Sequence, residues 1–403
     1  MSMSRFGLKT VNASGLLLRR LGFPGRLLAV RPLMDAARTA TGLEDFGGEE
    51  FIEPLERLLA ACEKEARMNT VGRMVVRYDV LRSLINRLHL TDDRHHHPEI
   101  TSERIVAPIF IISLPRTGTT LLHALLAADG DNRVPLTWET MYPSARARPG
   151  MSAARRITRA AADLRWMERL APGFAALHPL EANLPQECLV MMALSFQSYQ
   201  YQTMYDIPSY VAWLKAEPLD HGYRMHRRFL QHLQWRRRGR RWVLKAPAHM
   251  ASMDALLRTY PDARFVQIHR DPTEVLASDA SLTAALFAAF SDHVDPHTVG
   301  RETLERLSDW LERFMAARRT LPARRICDLS YRDLVADPQR TVEYLYRYFD
   351  LDLSDAARTH MQGVLASHPR YKHGRHRYTP ADFGLEDSCR HPGLQAYSRA
   401  FDL

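Results

Sequence analysis

Apolar residues along this chain follow two rhythms. From about Asp45 to Leu90 they recur every three or four positions, at Leu55, Leu58, Leu59 and Cys62, then at Val71, Met74, Val75, Tyr78, Leu81, Leu84 and Ile85. That spacing predicts two or three amphipathic helices. Elsewhere the apolar residues bunch into short runs, Ile109–Ile112, Trp242–Lys245, Phe265–Ile268 and Arg325–Leu329, rich in β-branched and aromatic side chains. Runs of this kind suit strands of a parallel sheet buried on both faces. Helical stretches separate them, and strand and helix in alternation predict a three-layer α/β sandwich with a central parallel sheet. A short second strand is expected just before Glu139. Residues 145–234 read as mostly helical, with Asn183, Pro185 and Gln186 resembling a capping box that opens a helix through Met191, Met192, Leu194 and Phe196. The segment Asp92 to Pro98, containing His95, His96 and His97, reads as a connecting loop with no ligand spacing for a metal. No internal repeat is present.

The first run leads into the most informative segment. Ile109 to Thr120 reads IFIISLPRTGTT: a strand, a tight turn, then a helix whose first residues are threonines. Gly118 permits close backbone approach, and the unpaired N–H groups of a helix start face whatever anion lies there. Thr117, Thr119 and Thr120 add hydroxyl donors, and Arg116 adds a fixed cationic fork. A nucleotide-triphosphate loop, GxxxxGK[ST], requires glycine at Ser113 and lysine at Thr119, so a kinase or NTPase is the weaker alternative. The fold is therefore expected to be P-loop-like without being a nucleotide-triphosphate site.

A second segment has the same logic. Arg264 to Ser278 reads RFVQIHRDPTEVLAS, a strand followed by a turn at His269 to Pro272 and a helix with proline in its first turn. Arg270 falls at the carboxyl end of the strand, where open α/β sheets bind ligands, with Ser278 two turns into the helix. An arginine and a hydroxyl so placed suit a second phosphate; the competing expectation is a surface ion pair of Arg270 with Asp271 or Glu274.

Together these segments resemble the sulfotransferase family, which moves a sulfuryl group from 3′-phosphoadenosine-5′-phosphosulfate (PAPS) to an acceptor. LPRTGTT is similar to the family's 5′-phosphosulfate loop, and IHRDPTEVLAS to its 3′-phosphate motif, with Arg270 and Ser278 eight residues apart as in the family. RWVLKAPAHM, Arg241 to Met250, resembles the strand and turn that carry a transition-state lysine, here Lys245. Tyr331 in SYRDLVADP resembles a cofactor-contacting tyrosine. KHGRHRYTPADFGL, with Arg375, resembles the basic loop that closes over the 3′-phosphate. The resemblance covers about Asp45 to the C-terminus and is closest to bacterial members with an extra helical N-terminal region. It implies PAPS as co-substrate, no metal, a small hydroxyl-bearing acceptor and in-line transfer. Arg116 stands where many cytosolic members carry lysine; a guanidinium binds the donor equally well but does not give up a proton. Two residues are candidates for the base that takes the hydroxyl proton: Glu139, where the arginine-type members place a glutamate, and His249, four residues past Lys245. Glu181 and Glu187 are weaker candidates, since nothing in the sequence ties them to the cofactor strands.

The implied organisation is a basic amphipathic arm (1–44), a helical region (45–100) and a donor-binding domain (101–403) with the 145–234 insertion on the acceptor side. The insertion's Tyr199, Tyr201, Tyr205, Tyr210 and Trp213 are candidates for an acceptor pocket, against ordinary core packing, and with the basic arm they favour a lipid-like or phenolic acceptor over a charged sugar.

Charge and cysteine content add boundary conditions. Fifty-five basic against 46 acidic residues give a net charge of +9, compatible with an anionic donor, a nucleic acid or an acidic membrane. No recognition motif interleaves the arginine runs with aromatics, so a nucleic-acid partner is not expected. Cys62, Cys188, Cys327 and Cys389 are scattered, which points to neither a disulfide framework nor a zinc site and fits a cytoplasmic protein. No secretory signal or uninterrupted membrane-spanning run is evident. Residues 1–34 carry six basic residues and no acid beside their leucines, which makes peripheral contact with an anionic bilayer a candidate role.

Overall fold

A computed structural model describes residues 28–145, 152–170, 181–235, 239–367 and 378–403. Five strands, β1 (Ile109–Ile111), β2 (Asn132–Arg133), β3 (Arg241–Lys245), β4 (Arg264–His269) and β5 (Ile326–Ser330), form one sheet in the order β2-β3-β1-β4-β5. Every pairing is parallel, and the register sets Ile111 opposite Lys245 on one side and Val266 on the other. The expected strands are all present, shifted by a residue or so, and the short strand before Glu139 is β2.

Strand periodicity explains the three layers. Ile109, Ile111, Val243, Val266, Ile268, Cys327 and Leu329 point to one face. There they meet α4 (Thr119–Ala127), α14 (Tyr331–Ala336), α15 (Pro338–Tyr348) and α16 (Asp355–Ser367). The alternate residues, Phe110, Ile112, Trp242, Leu244 and Phe265, point the other way into a larger core. That core is built by α1 (Val30–Thr41), α2 (Ile52–Lys64), α3 (Thr70–His96), α7 (Cys188–Met192), α8 (Gln200–Met204), α9 (Pro208–Ala216) and α10 (Asp220–Gln234). It continues through α11 (Met253–Thr259), α12 (Pro272–Phe290), α13 (Pro296–Arg318) and α17 (Pro392–Phe401). Two further helices, α5 (Thr137–Met141) and α6 (Ala153–Leu170), enclose a satellite cluster around Trp138 and Ala160.

Two local expectations are corrected. The segment from Asp92 to His96 is not a loop: α3 runs to His96, whose Nδ1 bonds the Asp92 carbonyl at 2.9 Å, while His95 faces Asp45 and His97 stacks on Trp235. The capping box at Asn183 does not open a helix either; α7 begins at Cys188 and gives way to a 3-10 turn after five residues. Glycine-like backbone at Phe196, with φ of 56°, ends that turn, so the apolar positions beyond it belong to a bend. Finally, α12 is long and apolar enough by composition to cross a membrane, yet it is mostly buried against α13 in the interior.

Strand β1 lies at the centre of the sheet, with β2 and β3 to one side and β4 and β5 to the other. The crevice beyond its carboxyl end is thus a topological switch point, the place where such sheets bind ligands.

Candidate active site

The turn after β1 is held at both ends. Ser113 Oγ accepts the Ile268 N–H at 2.6 Å, tying the loop to β4, and the Thr117 hydroxyl donates to the Leu114 carbonyl at 2.7 Å. Two left-handed positions on either side of Thr117 then redirect the chain, Arg116 at φ 63° and Gly118 at φ 85°. A Cβ on Gly118 would sit 3.0 Å from Leu334 and 3.4 Å from the Tyr331 ring, so glycine is required by conformation and by space. No side chain caps α4 at Gly118, which leaves its first-turn N–H groups to a ligand at the sheet edge.

The second motif closes against this loop. Arg116 Nε donates to Ser278 Oγ at 3.1 Å, and Arg270 Nη1 donates to the Arg116 carbonyl at 2.6 Å. The Arg270 guanidinium also lies 4.4 Å from the centre of the Tyr331 ring and pairs with Glu274 at 3.0 Å. Asp271 is not its partner, because that carboxylate caps α12 by accepting the Thr273 N–H at 2.8 Å. Arg116, Gly118, Arg270, Ser278 and Tyr331, spread over 216 positions of sequence, therefore meet at one end of the sheet. Arg375 lies outside the described residues.

Lys245 ends β3 beside the same loop. Its side chain is buried, with Nζ 3.5 Å from the Thr120 hydroxyl and 2.5 Å from Glu187 Oε1. His123, one turn along α4 from Thr119, donates from Nε2 to the Val243 carbonyl at 3.3 Å. Burial, reinforced by the Lys245 charge, pulls its pKa down to about 3, so it is neutral at physiological pH.

Neither residue favoured as base is brought to Lys245. Glu139 is buried in α5 with Oε1 and Oε2 on the Arg133 guanidinium at 2.7 and 3.0 Å, and Oε2 also accepts the Leu136 N–H at 3.0 Å. Its carboxylate faces a separate cavity bounded by Pro143 and Trp235. His249 is fully buried, with Nδ1 hydrogen-bonded to the Tyr223 hydroxyl at 2.7 Å and its ring against the edge of Phe110. Burial drives its pKa well below the usual imidazole value. Glu187 is the acid that reaches Lys245. It lies 58 residues from the lysine and carries no local motif, so sequence spacing offered no signal for it.

Glu187 also borders a cavity of about 240 Å³ that starts at Pro115 of the loop. Leu189, Met204, Pro247, Leu286 and Trp310 give it apolar walls. Two ion pairs interrupt them, Arg306 with Asp279 at 2.5 Å and Arg82 with Asp79 at 3.1 Å. The tyrosines of the insertion do not line it: Tyr199, Tyr201, Tyr205 and Tyr210 are core residues, and Gln200, Thr203 and Met204 between them face the space instead. Among the described residues no cluster of three metal-ligating side chains occurs.

An uncapped helix start at the switch point of a parallel sheet, beside a buried Lys245–Glu187 pair whose acid borders an apolar cavity, fits a group-transfer enzyme with an anionic donor. The chain belongs to the sulfotransferase family, whose sequence model it matches over residues 108–355, well over half its length. It is 27% identical over 306 residues to the omega-hydroxy-beta-dihydromenaquinone-9 sulfotransferase of Mycobacterium bovis, which spans 71% of this chain and 74% of that protein. A crystal structure of a sulfotransferase from Mycobacterium tuberculosis superposes with a TM-score of 0.78 at 32% identity, covering 93% of this chain and 98% of that one. A second, from Mycobacterium avium, shares the fold with a TM-score of 0.83 at 24% identity over 93% and 97% of the two chains. The protein is thus a sulfotransferase built on the P-loop-like α/β sandwich, and PAPS is the donor characteristic of its family.

Proposed function

We propose that this enzyme transfers the sulfuryl group of PAPS to the hydroxyl of a lipid-like acceptor, with Glu187 as the base. The 2.5 Å contact of Glu187 with Lys245, at the junction of the anion loop and the apolar cavity, is the observation that carries this reading. The cradle fits the donor: the amides of Thr117, Gly118, Thr119 and Thr120 and the hydroxyls of Thr119 and Thr120, with Arg116, would hold the 5′-phosphosulfate. Arg270 and Ser278 would hold the 3′-phosphate, Tyr331 would flank the nucleotide, and Arg375, by its family resemblance, would be a further phosphate ligand.

In the transfer, Glu187 accepts the proton of the acceptor hydroxyl as its oxygen attacks sulfur in line. The bond from sulfur to the bridging oxygen breaks, and Lys245 neutralises the charge that develops there. Sulfate ester and adenosine 3′,5′-bisphosphate result. Catalysis then comes from positioning and preorganised charge, by analogy with phosphoryl transfer. The donor's own negative charge would compete with Glu187 for the Lys245 ammonium.

The apolar walls of the cavity support a lipid-like acceptor, as does the similarity to an enzyme named for a hydroxylated dihydromenaquinone. Incubating the protein with sulfur-labelled donor and cell extracts separated into lipid and polar fractions tests this. Label is expected in the lipid fraction and absent with Lys245→Ala; label confined to the polar fraction would refute the acceptor class.

A further inference from the structure

Helix α6 forms one wall of the acceptor cavity, and its two faces differ in chemistry. Leu164 and Met167 line the cavity, while Ile157, Ala160, Ala161 and Leu164 pack on Trp138 and Met141 of α5. The opposite side exposes Arg155, Arg159, Ala162, Arg165, Trp166 and Arg169, positions that helical spacing groups on one face. The helix's two acids are withdrawn from that face: Asp163 is half-buried and accepts bonds from the Tyr78 and Tyr142 hydroxyls, and Glu168 is half-buried as well. Trp166, 37% exposed, leans on Tyr78 with ring centres 5.8 Å apart. Met74, one turn before Tyr78 on α3, is 45% exposed.

A helix that merely faces water mixes charges of both signs and hides its large apolar groups. This one exposes four arginines, an indole and a neighbouring thioether, with no exposed acid, beside an apolar cavity. That combination is the signature of a helix lying in a lipid interface, where arginines meet anionic headgroups and tryptophan sits at the boundary. We propose that the outward face of α6 docks on an anionic lipid bilayer, so that a membrane-borne acceptor passes beneath the helix into the cavity without crossing water. The inference rests on the acceptor being lipid-like. Its physical advantage is plain, since each methylene exposed to water lowers the available acceptor concentration by about four-fold.

The test uses the full chain, sedimented with vesicles of phosphatidylcholine alone or mixed with phosphatidylglycerol, and compares wild type with Arg155→Gln/Arg165→Gln/Arg169→Gln. Arg159 is left in place because it stacks on Tyr142 at 4.6 Å. Wild type is expected to favour the anionic vesicles and to be released by salt. The triple variant should bind them roughly 100-fold more weakly, at about five-fold per arginine. Trp166→Ala should lose less. Turnover of a short-chain, water-soluble phenol should be unchanged in both variants, while turnover of a long-chain phenol embedded in anionic vesicles should fall through KM in the triple variant.

Equal vesicle binding by the triple variant would overturn the proposal, as would a wild type indifferent to phosphatidylglycerol. So would lost binding with vesicle-borne turnover intact. Capture of wild type by an acidic polypeptide with no vesicle binding would assign the face to a protein partner and overturn it too. A protein that docks through α6 but sulfates neither phenol sinks the acceptor assignment and leaves the docking face standing.

Discussion

Replacing Glu187 by glutamine keeps the shape of the side chain and removes its charge, and two effects of different size should follow. The first is on stability. Lys245 is 3% exposed, and its ammonium has Glu187 at 2.5 Å and a neutral hydroxyl at 3.5 Å. Breaking a buried pair by removing one partner costs about 3 to 5 kcal/mol, and the 21% exposure of the Glu187 side chain places this case at the lower end, about 3 kcal/mol. Adenosine 3′,5′-bisphosphate brings negative charge to the same lysine, so it should narrow the gap between variant and wild type in a urea titration. The second effect is on chemistry, where loss of a general base lowers the rate by about 10² to 10⁴. Single-turnover transfer from labelled donor should show that loss, and saturating donor should not restore it. Glu139→Gln is the control: it strands the buried Arg133 guanidinium and should destabilise comparably, yet leave the single-turnover rate within about three-fold of wild type. A collapsed rate in the Glu139 variant beside a near-normal Glu187 variant would refute the assignment. Equal losses of rate and bisphosphate affinity in Glu187→Gln would reduce the residue to a binding role.

Arg270→Ala should weaken adenosine 3′,5′-bisphosphate by about 10- to 100-fold in calorimetry, the range for a charge-assisted bond to phosphate, with little change for adenosine 5′-phosphosulfate, which lacks the 3′ group. Equal losses for both nucleotides would mean that Arg270 acts only by bracing the Arg116 carbonyl. The enzyme should also be acid-sensitive, because burial holds His123 and His226 down to about 3 and His221 to about 4, and lowers His249 well below the usual value. Since the unfolded chain takes up these protons near pH 6.5 and the folded one does not, their contribution is complete above about 6.5 and shrinks as pH falls toward the folded values. Each contributes a slope of up to about 1.4 kcal/mol per pH unit in that window, and urea unfolding that is flat between pH 7 and 5 would contradict it.

What the sequence disclosed and what it withheld divide along a physical line. The anion loop was legible because its parts are consecutive: a β-branched strand, a turn needing glycine, and a helix start must follow one another within a dozen residues. Arg270 and Ser278 were legible for the same reason, since strand end and helix face are joined by one turn. Each half carries its geometry in local backbone, and the parallel register then brings Ile111 beside Lys245 without further instruction. Glu187 had no such voice. Its contact with Lys245 depends on how the chain between β2 and β3 folds back over the sheet edge, and α7, which starts just after it, is only five residues long and too brief to announce a face. Glu139 shows the converse case. It sits at a suggestive distance from the loop in sequence, but its carboxylate is held by the buried Arg133 guanidinium only six residues away. The extension of α3 through His95 and His96 was missed because polar runs look like loops, whereas here the carbonyls of Asp92 and Asp93 accept bonds from His96 and His97 and Trp235 covers the end. A side chain that arrives from an insertion, as Glu187 does, is thus harder to place from sequence than one on a strand-turn-helix motif, because no repeated backbone pattern fixes where it lands.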